Sequence, residues 1–342
     1  MKNATMKAVA ERAGVSLMTV SRVLNDTARV KPETRERVER AVADLDYRPN
    51  LGARRLAGGR SRFIGLLYHN PSGGYLGKVL RGALDACREF GHHLVLEDFG
   101  HSDPYREPEA AVRALNLVDL DGVIVTPPLS SHEPFMAVLD TLGMPVVRIA
   151  PADIHVPGTL RVAMDDGQAV EDLLAHVVAR GHRRIAFLKG PDGHAASKHR
   201  LDGFLRGMRI HGLSVTRDSV REGDFTYRSG LVAGRAMLRE AEPPTAILAG
   251  NDDMAAGVVG AAHRLGLSVP ENVSVCGFDD TELATTVQPE LTTVRQPIAA
   301  MAHRAMALLT AHLDGDAEAA EGFRGLMPYS IVQRDSVAAP KG

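Results

Sequence analysis

From Phe63 onward, short apolar, β-rich runs alternate with helical segments, and this alternation constrains the fold more than any other feature of the chain. FIGLLY precedes a helical stretch from about Leu76 to Phe90, and HHLVLED precedes another from about Pro108 to Val118. DGVIVTPP and MPVVRIA follow with a helix between them, and RRIAFLKG, TAILAGN and VSVCGFDD repeat the arrangement. Apolar runs of this kind, alternating with helices, imply parallel sheets with helices on both faces. The pattern falls into two halves, one up to about Leu160 and one from about Arg161 to Thr292, before a closing stretch TTVRQPIAAMAHRAMALLTAHL. Two such sheets joined by several crossovers form a hinged cleft, and ligands of these folds sit beyond the strands' carboxyl ends. Polar residues fall there: Asn70 and Tyr75, Arg200, Asn251 with Asp252, and Asp279 with Asp280.

The first sixty residues follow another pattern. Thr5 is placed to cap a short helix, Met6 to Ala13, with Val9, Ala10 and Ala13 on one face. Gly14 can take the left-handed conformation of a helix stop, and Ser16 can cap a second helix through Leu24. Val20, Val23 and Leu24 form its inward stripe, leaving Leu17, Met18, Ser21 and Arg22 outward. After a loop, Asn25 to Lys31, Pro32 opens a third helix with Val38, Ala41, Val42 and Leu45 at helical spacing. Helix, glycine turn and capped second helix are the sequence form of a helix-turn-helix, whose second helix enters the DNA major groove. Charge agrees: residues 1–62 hold 14 Lys+Arg against 7 Asp+Glu, net +7, while the remainder holds 26 against 35, net −9. A basic head on an acidic body suits a head that alone meets a polyanion.

The string VAERAGVSLMTVSRVLN, followed by KPETRERVERAVADLDYRPNLGARRLAGGRS, resembles the DNA-binding region of the LacI family almost residue for residue. AGVS, TVSRVLN and the YRPN…A..L of a hinge occur together in order, with one departure at Ala8, where the family commonly carries Asp. The resemblance implies a small all-α helix-turn-helix head and a periplasmic-binding-protein-like α/β body of two doubly wound parallel-sheet subdomains. The expected boundaries are 1–48 for the head, 49–61 for a hinge helix and linker, and 62–335 for effector binding and dimerisation. Within the body, an N-subdomain spans about 62–160 and 293–323, and a C-subdomain about 161–292 and 324–335. By resemblance Leu17 and Met18 choose operator bases and Arg22 reaches a guanine edge, where a guanidinium can donate two bonds. Thr5, Ser16, Thr19, Ser21, Asn25 and Thr34 would hold phosphates, which sets register without specifying sequence. Asn50, Ala53 and Leu56 belong to the hinge helix, with Leu56 matching a minor-groove wedge at the centre of a pseudo-palindromic operator. The resemblance places Asn70, Tyr75, Arg200, Phe225, Asn251, Asp279 and Gln296 in an effector pocket, while Ala150 stands where many members have Asp. Asn, Asp and Arg suit paired hydrogen bonds to sugar hydroxyls, and an aromatic covers a sugar's apolar face, so a mono- or oligosaccharide is the expected effector.

Other classes are weighed against this reading. No run approaches the roughly 18–20 apolar residues of a membrane span, and the N-terminus lacks the apolar core of a signal peptide, so a cytoplasmic location is expected over an exported sugar binder. The two cysteines, Cys87 and Cys276, lie far apart, and no metal or cofactor is expected. An enzyme is disfavoured because HExxH, GxSxG and P-loop motifs are missing, and the histidines of GHH and GHRR read as surface residues. The absence of a terminal leucine heptad favours a homodimer over a tetramer.

Overall fold

The computed structural model describes residues 5–24, 30–45, 47, 61–97, 99, 103–115, 120–153, 159–316, 318 and 325–341. Two compact units emerge, essentially the residues up to Arg62 and those from Phe63 on.

The small unit is three helices, α1 (Met6–Ala13), α2 (Leu17–Leu24) and α3 (Pro32–Asp44). Thr5 caps α1 by accepting from the Ala8 N–H at 3.2 Å, and Gly14 ends it at φ +65°. Ser16 Oγ accepts from the Thr19 N–H at 3.2 Å to start α2. Val9, Ala10, Ala13, Val20, Val23, Val38 and Ala41 are buried together with Tyr47, and Leu24, Val42 and Leu45 are half-buried around them. The helical spacing in the sequence therefore marks the packed faces.

The large unit contains two sheets. The first runs β2 (His93–Glu97), β1 (Phe63–Leu67), β3 (Gly122–Val125), β4 (Val146–Ile149) and β5 (Leu160–Val162) in spatial order. Pairings from β1 through β5 are parallel, with Leu66 opposite Ile124 and Ile124 opposite Val147. Alternate strand residues feed cores on opposite faces. Ile64, Leu66 and Ile124 pack with α4 (Gly73–Phe90) and α12 (Ile298–Leu313), while Leu67, Val123 and Val125 pack with α5 (Pro108–Ala114) and α6 (Glu133–Asp140). Burial on both faces is why these strands read as continuous apolar runs.

The second sheet runs β11 (Ser330–Val332), β10 (Thr292–Arg295), β9 (Ser274–Phe278), β8 (Ala246–Ala249), β6 (Ile185–Lys189) and β7 (Val220–Glu222). It divides the same way: Ala186, Leu188 and Ile247 face α9 (Tyr227–Met237), α10 (Asp252–Arg264) and the short α11 (Leu283–Thr286), and Phe187, Leu248 and Phe278 face α7 (Asp166–Val178) and α8 (Ala195–Ile210).

Four details differ from the sequence reading. The first long helix begins at Gly73 rather than about Leu76. β5 belongs to the first sheet through Val162, and β10 to the second through Arg295, so both crossovers fall a few residues later than expected. β11 runs antiparallel to β10, where only parallel strands were expected. His92 and His182 are buried rather than on the surface: His182 bridges Thr245 Oγ1 at 2.9 Å and the Ala338 carbonyl at 2.7 Å, tying the C-terminal segment to the sheet.

Candidate functional site: a helix-turn-helix face and an inter-sheet cleft

In the small unit α2 turns Val20 and Val23 inward, which leaves Leu17 50% and Met18 63% exposed. Two large apolar side chains held in water on one short helix contribute nothing to the core. Arg22 is exposed on the same helix. The Ser16 and Thr19 hydroxyls lie 2.9 Å apart at the start of α2, and Thr5 sits at the start of α1. Ser21 and Thr34 are half-buried, on α2 and on the first turn of α3. Asn25, Asn50, Ala53 and Leu56 lie outside the described residues.

In the large unit the carboxyl ends of nine strands converge on one cavity. All seven residues expected there line it: Asn70 and Tyr75 after β1, Arg200 on α8, Phe225 after β7, Asn251 after β8, Asp279 after β9 and Gln296 after β10. Ser72, Pro127, Ala150, Asp166, His194 and Ala196 complete the lining. Every non-glycine residue with positive φ among those described is at or beside this cavity: Ala150 (+46°), Phe225 (+65°), Asp279 (+108°) and Asp280 (+51°). Such backbone is costly and persists where surrounding structure enforces it, which happens most often at ligand sites. Gly190 shows one such enforcement, since a Cβ there would lie 2.0 Å from the Phe225 ring.

A buried charge cluster forms the floor. Arg200 Nε donates to Asp166 Oδ1 at 2.7 Å, and Nη1 donates to the Gly250 carbonyl at 2.5 Å. Its Nη2 lies 3.9 Å from Asp279 Oδ1, and its guanidinium carbon stands 3.7 Å above the Phe278 ring centre. Gln296 Nε2 donates to Asp279 Oδ1. Burial pushes the Asp279 carboxyl above the usual carboxylate range, with Arg200 opposing. Burial also pushes the Asp252 carboxyl up, against hydrogen bonds from Thr293 and Thr281. His194, packed against Phe225 with ring centres 5.4 Å apart, is lowered to about 4 by burial and by the nearby His69 and Arg200. With the imidazole neutral and Arg200 already engaged, the cavity offers directed hydrogen bonds and apolar surface rather than a free positive charge.

Two contacts join the halves across the cleft. Ser72 Oγ donates to Asp253 Oδ2 at 2.7 Å, and Lys78 Nζ on α4 donates to the Asp279 and Asp280 carbonyls. Asn251 has a structural task as well: its Oδ1 accepts from the Met254 N–H at 2.9 Å to cap α10, and its Nδ2 donates to the Phe225 carbonyl at 3.0 Å.

Comparison with known proteins matches both units. Residues 5–50 fit the family model "Bacterial regulatory proteins, lacI family", and residues 174–337 fit "Periplasmic binding protein-like domain". Catabolite control protein A of Priestia megaterium is 34% identical over 98% of this chain and 99% of its own. The lactose operon repressor of Escherichia coli (strain K12) is 32% identical over 99% of this chain and 92% of its own. The chain belongs to the LacI family. It is a DNA-binding transcriptional regulator with that family's two-part architecture. Among solved structures, the lac repressor dimer bound to operator and an anti-inducer superposes with a TM-score of 0.84 at 30% identity, covering 99% of this chain and 100% of that one.

For this LacI-family regulator the residues that sequence reasoning missed are instructive. Asp166 follows Asp165 directly in the sequence, and the two do different work. In the fold Asp165 caps α7 by accepting from the Gln168 N–H at 2.8 Å, and Asp166 neutralises Arg200. The other aspartate pairs are likewise divided. Asp252 accepts from Thr281 and Thr293, Asp253 from Ser72, and Asp280 binds Arg295 and Arg334. His194 carried a usable signal, standing just after β6 on the same strand-end logic that selected Asn251.

Proposed function

We propose that this regulator is a cytoplasmic homodimeric repressor of carbohydrate-utilisation genes, released from or held on a pseudo-palindromic operator by a sugar in the inter-sheet cleft. The supporting observation is the cleft itself: hydrogen-bonding side chains from six strand ends beside the Tyr75 and Phe225 rings, with Arg200 held in place by Asp166. Neutral hydroxyls suit that surface better than a phosphate, which would compete with two carboxylates for one guanidinium. Related proteins support the class. One solved lac repressor is bound to ONPG, and the regulator CelR is in complex with cellobiose, the latter with a TM-score of 0.68 at 27% identity.

On this reading residues 1–48 are the DNA-binding head, 49–61 the hinge and 62–335 the effector and dimerisation domain. Leu17, Met18 and Arg22 read bases, and Thr5, Ser16, Thr19, Ser21, Asn25 and Thr34 position phosphates. Asn50, Ala53 and Leu56 form the minor-groove element. Asn70, Tyr75, Arg200, Phe225, Asn251, Asp279 and Gln296 hold the sugar. Two heads occupy successive major grooves of one site. Sugar that favours one closure of the cleft changes the contacts made by Ser72 and Lys78, and so the placement of the halves that carry the hinge. A gel-shift titration against the DNA upstream of the regulator's own gene, with and without a panel of sugars, tests this. Binding to one palindrome that a sugar alters is expected; failure to bind any palindromic DNA overturns it.

A further inference from the structure

Beside the inner cavity lies a second one, open to solvent, and the two share Ala150, Asp166 and Ala196. Asp166 is committed to Arg200 on the floor. The other two residues common to both spaces are Ala150, just after β4, and Ala196, in the first turn of α8. Beyond them the outer cavity presents Asp153, Asp165, His199, Asp202 and Arg206 as polar edges, with Met164 and the exposed Leu326 as apolar surface.

Ala150 is the informative residue. At φ +46° a glycine, asparagine or aspartate would be more comfortable, since a short polar side chain can bond its own backbone there. An alanine at that conformation gains nothing locally. What it gives is the smallest side chain, short of glycine, at the point where the two cavities meet.

We infer that the effector has at least two sugar rings, one in the inner cavity and the next passing between Ala150 and Ala196 into the outer one. The inference rests on the sugar reading above and narrows it to a di- or oligosaccharide.

Calorimetric titration of the full-length protein compares glucose, galactose, mannose and xylose with the disaccharides cellobiose, maltose, lactose, trehalose, mannobiose and xylobiose. At least one disaccharide is expected to bind about tenfold or more tighter than its constituent monosaccharides. Ala150→Asp, which suits the backbone, and Ala196→Leu, on a half-buried helix position, should each erase the tenfold ratio between that disaccharide and its monosaccharides. A monosaccharide that binds as tightly as every disaccharide containing it overturns the two-ring inference and leaves the sugar reading standing. A disaccharide advantage that survives both substitutions overturns the proposed route. If no sugar of either length binds a protein that still holds its operator, the sugar reading itself fails and the inference falls with it.

Discussion

Arg200 and Asp166 are the buried ion pair on which the cleft floor depends, and removing either member alone has a size that can be worked out. Arg200→Met deletes a 2.7 Å charge-assisted bond to Asp166, a bond to the Gly250 carbonyl and the stacking on Phe278. Asp166 then remains as a carboxylate about 6% exposed with its partner gone. Breaking one side of such a pair costs about 3–5 kcal/mol. At roughly 2–4 °C per kcal/mol for a unit of this size, the large unit's melting temperature should fall by about 6–20 °C. Asp166→Leu should cost a similar amount, with a small further loss from removing an acidic residue in the first turn of α7. The double variant removes the Asp166 charge along with its partner and leaves the unpaired Gly250 carbonyl and an Asp279 without Arg200 beside it, so it should lose clearly less than the sum of the singles. Scanning calorimetry of the four proteins at neutral pH gives the cycle. A single-variant drop below about 3 °C, or a double variant that loses the sum of the singles, refutes the reasoning.

Three further outcomes are expected. Asp279 has its folded-state pKa raised, so its contribution to stability is fully present below its unfolded value and is lost as pH rises through the folded value. Asp279→Asn should therefore melt higher than the parent near pH 8, with the difference shrinking towards pH 4; equal differences at both pH values would contradict this. His194, lowered to about 4, contributes stability that is present above about pH 6.5 and lost as pH falls from there towards 4. His194→Asn should flatten denaturation midpoints across that window by an amount on the order of 2–3 kcal/mol, and an unchanged pH slope would show that the imidazole is not the group responsible. Leu17→Ala and Met18→Ala should leave thermal stability and the salt slope of DNA binding nearly unchanged while relaxing operator choice, each wrong base costing less than the usual ~1–3 kcal/mol. Equal losses on all sequences would argue against base reading by these side chains.

Much of this architecture could be read in the sequence because burial on both faces of a sheet leaves a plain trace. Residues 122–125 and 246–249 are apolar throughout because helices cover them from both sides. The head was legible for a different reason: Thr5, Gly14 and Ser16 mark helix ends through local backbone chemistry that does not depend on the rest of the chain. The cleft was legible at strand ends, where Asn70, Asn251 and Asp279 had no core to enter. Long-range pairing was not. Nothing near Asp166 in the sequence announces Arg200, which lies 34 residues further on, and nothing near His182 announces the Ala338 carbonyl. The antiparallel direction of β11 was equally hidden, because a strand's own residues do not record which way its neighbour runs. The role of Ala150 required coordinates, since a missing side chain matters only when the space it leaves is known.

The most direct test of the account is reciprocal linkage between the cleft and the head. The sugar's dissociation constant is measured by titration on the free protein and on the operator complex, and the operator's is measured with and without saturating sugar. The account predicts that the two ratios are equal and differ from one, by about 5–150-fold if the coupling is of ordinary size. A sugar that binds tightly while both ratios remain at one would contradict it, leaving the cleft a binding site that does not govern the DNA.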